Sequence, residues 1–185
     1  MKLQARKFYS SGRDLKQFQM GLKQIPCPHC RSIGLLNLHG YLRGYDDQGS
    51  RQKVIRGRRF YCCHRNRRRG CGRTFSILAA GVLKTFIIRA QSFWHFLKNI
   101  LSGSNKINAL RSTGVALSRS SCYRLWNTLR LRQTHIRSRL LRLCPMPEGT
   151  AHGSLLETIL HLKNTFKDSA CPVAAFQSRL QVPFL

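Results

Sequence analysis

Two cysteines separated by two residues, Cys27-Pro28-His29-Cys30, constrain this chain more than any other feature in it. A turn of that length folds back on itself, so both thiolates can point at one ion, and Pro26 and Pro28 stiffen it. Two sulfurs do not close a tetrahedral coordination shell, so a second pair of ligands is needed. Cys62, Cys63, His64 and Cys71 are the candidates. Leu35–Tyr41 and Lys53–Tyr61, between the two halves, read as strands.

Knuckle, hairpin, knuckle is the order of a zinc ribbon. The core of such a unit is too small to hold without its ion, so metal binding is folding energy. The expected ligands of Zn²⁺ are Cys27, Cys30, Cys62 and Cys71, with Cys63 or His64 as the substitute for Cys62. Cys62 follows Arg59-Phe60-Tyr61 as a ligand follows its strand, and Cys63 would face the other side of that strand. The second knuckle is irregular, its cysteines separated by the loop His64–Gly70. His29 and His64 read as solvent-facing side chains. Met1 to Ser10 is basic without the apolar segment of a secretory signal. The 8 cysteines therefore point to a reducing compartment and metal ligation rather than disulfides.

The second constraint is charge. There are 33 Lys and Arg against 6 Asp and Glu, a formal net charge of +27. The acids are Asp14, Asp46, Asp47, Glu148, Glu157 and Asp168, and none lies from Gln48 to Pro147. In the tail after Pro147, Lys163, Lys167 and Arg179 balance Glu148, Glu157 and Asp168, so the whole excess sits on residues 1–147. That much positive charge repels itself unless a polyanion neutralises it. The most apolar stretch, 75–101, is interrupted by Lys84, Arg89, His95 and Lys98. It falls short of the ~18–20 apolar residues of a membrane span, which leaves nucleic acid as the expected partner and no membrane. With 42% apolar residues the chain can build a modest core.

Arginine dominates the basic set, which suits bidentate contact with phosphate or guanine. Arg56, Arg58, Arg59, Arg65, Arg67, Arg68, Arg69 and Arg73 cluster around the second knuckle with Phe60 and Tyr61 interleaved, and no carboxylate lies nearby in sequence to pair with them. They are the first group of expected nucleic-acid contacts.

After Ser76 the pattern becomes helical. Ala90–Leu101 presents Phe93, Trp94, Phe96, Leu97 and Ile100 on one face and ends at Ser102-Gly103. Ser104 can cap a short helix, Asn105–Ser112, and Thr113-Gly114 makes a turn. A long helix starts at about Ser118, with Cys122, Leu125, Trp126, Leu129, Ile136, Leu140 and Leu143 apolar and arginines over much of the rest. Short helix, glycine turn and longer basic helix form a helix-turn-helix-like order, whose second helix would present Arg119, Tyr123 and Arg124 to a major groove. The span from Gly114 to Ser118 is longer than the tightest form of that turn. Trp94 and Trp126 read as core residues. Beyond Cys144-Pro145-Met146-Pro147, residues 155–166 suggest a short amphipathic helix.

Together these elements give an α+β chain: a basic arm (1–21), a zinc ribbon (22–76), a helix-turn-helix-like domain (77–144) and a neutral tail (145–185). Cys27-Pro28-His29-Cys30, Arg59-Phe60-Tyr61-Cys62 and Cys71-Gly72-Arg73-Thr74-Phe75-Ser76, followed by that helical order, resemble the DNA-binding part of bacterial insertion-sequence transposases and their zinc-ribbon accessory proteins. The resemblance covers roughly residues 22–143, departs from the pattern in the widened second knuckle, and lacks the acidic catalytic domain. It implies binding of duplex DNA at transposon ends or at a promoter, a nucleoid-associated place in the bacterial cytoplasm, and a transposase subunit or a second copy of the chain as protein partners. An RNA- or ribosome-binding ribbon protein and a small complete transposase or nuclease are the alternatives. No catalytic residue is assigned. Asp46 and Asp47 would point to opposite faces of a strand, and Glu148, Glu157 and Asp168 lie beyond the proline-rich break.

Overall fold

The computed structural model of the chain describes residues 6–47, 49, 52–63, 70–146 and 154–185. The class is α+β, with a four-stranded sheet and six α-helices among the described residues. The chain divides into two compact units, Met1–Tyr45 with Gln52–Ala80, and Asp46–Arg51 with Gly81–Leu185.

The first unit holds the sheet, in the order β1-β4-β3-β2. The long hairpin β2 (Leu36–Gly44) and β3 (Val54–Cys62) is antiparallel, with Leu36 opposite Cys62 and Leu38 opposite Phe60. β4 (Thr74–Ala79) pairs antiparallel with β3, and the two-residue β1 (Phe8–Tyr9) adds in parallel to β4. Gly57 of β3 faces Leu78, and a Cβ there would stand 2.4 Å from the Ile77 carbonyl oxygen, so the strands approach to a distance only glycine permits. Residues 6–21 of the stretch read as a basic arm are folded. α1 (Gly12–Met20) is capped by Ser11, whose hydroxyl accepts from the Asp14 amide, and it buries Phe18. Phe18, Leu22, Ile25, Leu36, Phe60 and Ile77 form the core on one face of the sheet, with Phe18 edge-on to Phe60. The pleat puts His39, Arg59 and Tyr61 on the opposite face.

The second unit is helical: α2 (Ala90–Leu101), α3 (Lys106–Arg111), α4 (Arg119–Leu140), α5 (Leu155–Thr165) and α6 (Pro172–Leu180). α3 is capped by Asn105 rather than Ser104, its side chain accepting from the Asn108 amide at 2.9 Å. Ser118 caps α4, which buries Cys122, Leu125, Leu129, Ile136 and Leu140 along one stripe. The last helices complete this core. Phe184 packs against Phe93 and Phe176, and fully buried Gln177 donates to the Val82 carbonyl while accepting from the Phe184 amide, each at 3.0 Å. No helix among the described residues is long and apolar enough to cross a membrane.

Asp46 and Asp47 follow the end of β2 instead of lying on a strand, so they do not point apart. Both turn to Arg89, Asp46 pairing with its guanidinium and Asp47 accepting from its backbone amide at 2.7 Å.

Candidate metal centre and basic surfaces

Local backbone geometry places the cysteines. In Cys27–Cys30 the Arg31 amide donates to the Cys27 carbonyl and the Cys27 amide to the Ser32 carbonyl, both at 2.9 Å. Arg31 takes the left-handed conformation, φ 64°, which turns the chain back over the first knuckle. Gly72 repeats that turn after Cys71, at φ 68°, with the residue type that adopts it without strain. Cys62, the last residue of β3, is stitched to this second turn: its amide donates to Arg73 and its carbonyl accepts from Gly72, both at 3.0 Å.

The sulfurs of Cys27, Cys30, Cys62 and Cys71 all lie within 4.8 Å of one another. Cys27–Cys71 and Cys30–Cys62, two edges sharing no corner, measure 3.8 and 3.7 Å. A tetrahedral ion with metal–sulfur bonds of about 2.3 Å requires S···S edges of about 3.8 Å. Every sulfur also receives a backbone N–H: Cys27 from His29, Cys30 from Ser32, Cys71 from Arg73 and Cys62 from Cys71. Such donors stabilise thiolate rather than thiol. Spacing and hydrogen bonding thus fit a four-coordinate metal ion, and four sulfurs leave no coordination position for water or substrate. Among the described residues this is the only group of three or more cysteine, histidine or acidic side chains positioned to hold an ion.

The thiols are electrostatically unequal. Hydrogen bonds from the Ser32 hydroxyl and amide pull Cys30 down to about 6, whereas burial pushes Cys62 up to about 12. Four sulfurs this close cannot all carry charge unaided, and a divalent cation removes that conflict. Cys63 is buried but lies outside the cluster, its amide donating to Leu35 at 2.8 Å, and His64 lies outside the described residues. His29 is exposed, its Nε2 3.3 Å from the Thr74 carbonyl. Burial raises the thiols of Cys122 and Cys171, as expected of inert packing cysteines.

The arginines expected to meet phosphate are distributed over both units. Arg59 and Arg73 are exposed. Arg58 lies with its guanidinium 3.5 Å from the Tyr41 ring centroid and its buried Nε without a hydrogen-bond partner among the described residues, and Arg56 donates to the Tyr45 carbonyl at 3.2 Å. Arg65, Arg67, Arg68 and Arg69 lie outside the described residues. On α4, Arg119 and Tyr123 line a cleft, while Arg124 leans its guanidinium over Phe86, 5.6 Å from the ring centroid. Lys106 and Trp126 line the same cleft. Lys106 carried no sequence signal and Trp126 read as core, because what brings them together is the α3–α4 packing rather than a local motif. Trp94 is buried, as a core residue should be, and Trp126, half-buried, packs on the same core edge-on to Phe96.

Comparison with protein-family models, with curated proteins and with solved structures gave no match to this chain.

Proposed function

We propose that this chain is a zinc-stabilised DNA-binding protein of a mobile element, acting at element ends or at a promoter as an accessory factor or regulator. In this reading the sheet unit is a zinc ribbon whose ion is structural, and α3 and α4 form a helix-turn-helix that presents Arg119, Tyr123 and Arg124 to a duplex. The zinc assignment is favoured by the all-sulfur donor set, which selects thiophilic ions, and by edge lengths that suit a tetrahedral one.

One observation carries the nucleic-acid reading. α4 holds Arg119, Arg124, Arg130, Arg132, Arg137 and Arg139, and among the described residues none of them forms an ion pair. A charge run on a helix is ordinarily balanced by carboxylates at neighbouring turns. Here the missing counter-charge is supplied by phosphate, with counterions released on binding. Four of the five described carboxylates serve the fold: Asp14 accepts from Ser10, Asp46 and Asp47 hold Arg89, and Glu157 completes the capping box of α5 with Ser154.

The test is selection of bound fragments from a random duplex pool with structured RNA as competitor, followed by salt titration of the recovered site. A defined duplex motif is expected, with affinity falling roughly 10³–10⁵-fold between about 50 and 200 mM salt if some 6–10 phosphates are engaged. Preferential retention of RNA, or salt-independent binding, overturns the reading.

A further inference from the structure

The helical unit contains a cleft of about 900 Å³ between α3 and the start of α4. Lys106, Arg111 and Arg119 supply cations to its lining, Tyr123 and Trp126 supply aromatic faces, and Leu156 of α5 contributes an apolar wall. The Lys106 ammonium stands 5.3 Å from the Trp126 ring centroid and 5.8 Å from that of Tyr123, so one cation spans both rings. Tyr123 is 48% exposed and Trp126 half-buried, which leaves ring surface open to the cleft.

This combination selects a ligand. Inorganic phosphate would use the cations but not the rings, and its volume is a small part of the cleft. An apolar ligand would leave three cations facing it uncompensated. A nucleotide uses both features, since its phosphate meets the ammonium and guanidinium groups while its base lies on an aromatic face. The cleft also falls in the size range of small-molecule sites. A base still stacked within a duplex cannot enter such a concavity; it must be unpaired or extruded first.

Building on the DNA-binding reading above, we propose that this cleft receives an unpaired nucleotide of the bound strand, held by stacking on Tyr123 and Trp126 and by Lys106 and Arg119 at its phosphate. DNA with a single-stranded extension or a splayed end is then the preferred substrate over an intact duplex.

The experiment uses the full chain and two fluorescein-labelled DNAs that share one duplex, one blunt and one with a short unpaired extension. Tighter binding of the extended DNA is expected, on the order of 10–100-fold, the worth of one stacked base. Tyr123→Ala, at a half-exposed position where folding is not at risk, should lower the affinity for the extended DNA more than that for the blunt duplex, which Tyr123 also faces, and so bring the two together, and Lys106→Ala should narrow the gap. A 5-iodouracil in the extension should photocross-link to Tyr123 or Trp126. Equal wild-type affinities, or cross-links that map outside the cleft, overturn the proposal while leaving duplex binding intact. Failure to bind either DNA at low salt instead removes the DNA-binding reading itself, and the cleft proposal with it.

Discussion

Cys62→Ser tests the metal centre at a fully buried corner. Cys62 ends one of the two inner strands of the sheet, and its sulfur sits 3.7 Å from that of Cys30. Structural zinc contributes about 10–16 kcal/mol of apparent binding free energy in small domains, and in them that energy is folding energy. If the four sulfurs share it evenly, losing one removes about 2.5–4 kcal/mol, or roughly 10²–10³-fold in affinity. The strand end would also loosen, because the Cys71 amide exchanges a thiolate acceptor for a neutral hydroxyl. Zinc affinity is read by competition with a chromogenic chelator, and the sheet by amide exchange along β3. Cys63→Ser is the decisive control, since Cys63 is adjacent and buried yet outside the cluster, and it should hold zinc as wild type does. Cys122→Ser, within α4, should do the same. If Cys63→Ser released zinc and Cys62→Ser retained it, the end of β3 would be displaced by one residue, and the geometry argued above would be wrong.

On α4, Arg119→Gln and Arg130→Gln should each reduce the slope of log affinity against log salt by about 1 if they contact phosphate, measured by fluorescence anisotropy; unchanged slopes would remove them from the interface. Gly57→Ala should destabilise the sheet unit by ~1–3 kcal/mol in denaturant unfolding, because its Cβ meets backbone rather than a movable side chain. Gln177→Ala should cost about 2–6 kcal/mol by stranding the Val82 carbonyl and the Phe184 amide, and a change below about 1 kcal/mol would mean that the chain end does not hold the helical core. With no DNA present, the melting temperature should rise as NaCl screens a net charge of +27; a flat or falling melting temperature would show the positive charges already neutralised within the fold.

Much of this was legible where one local rule dominated. Cysteine spacing singled out the residues that converge, because a two-residue separation fixes two sulfurs and a strand end delivers the third. The strands expected at Leu35–Tyr41 and Lys53–Tyr61 run as Leu36–Gly44 and Val54–Cys62, and α2 spans Ala90–Leu101. Other elements were hidden by competing signals. α1 carries the marks of a helix, a Ser11 cap followed by Leu15, Phe18 and Leu22 at helical spacing, but its lysines and arginines made the segment read as an arm. β4 straddles the boundary at Ser76 between the expected ribbon and the expected helical part, because a short apolar run has no period that separates strand from helix. α6 begins with Pro172 at its first turn and buries Val173 and Phe176, but with Gln177 buried beside them its nine residues give no clean apolar stripe. The cleft had no local signal at all: Lys106 and Tyr123 meet only once α3 and α4 have packed.

The allocation of carboxylates connects fold to function. Asp14 accepts from Ser10 beside the start of α1, Asp46 and Asp47 anchor the residue that caps α2, and Glu157 closes the N-terminus of α5. Each of these sites fixes an element end, where an acidic group near unsatisfied amides or beside an arginine contributes most. Among the described residues no carboxylate pairs with an arginine of α4, where Arg119, Arg124 and Arg130 stand exposed and like-charged. Such a surface is costly for an isolated protein and favourable for one that spends its time on a polyanion, because the partner's phosphates relieve a repulsion that the fold leaves standing. Salt should therefore act with opposite sign on the two properties, strengthening the free fold by screening while weakening the complex through lost counterion release. A protein whose arginines served only to pack or to solubilise would not show that opposition.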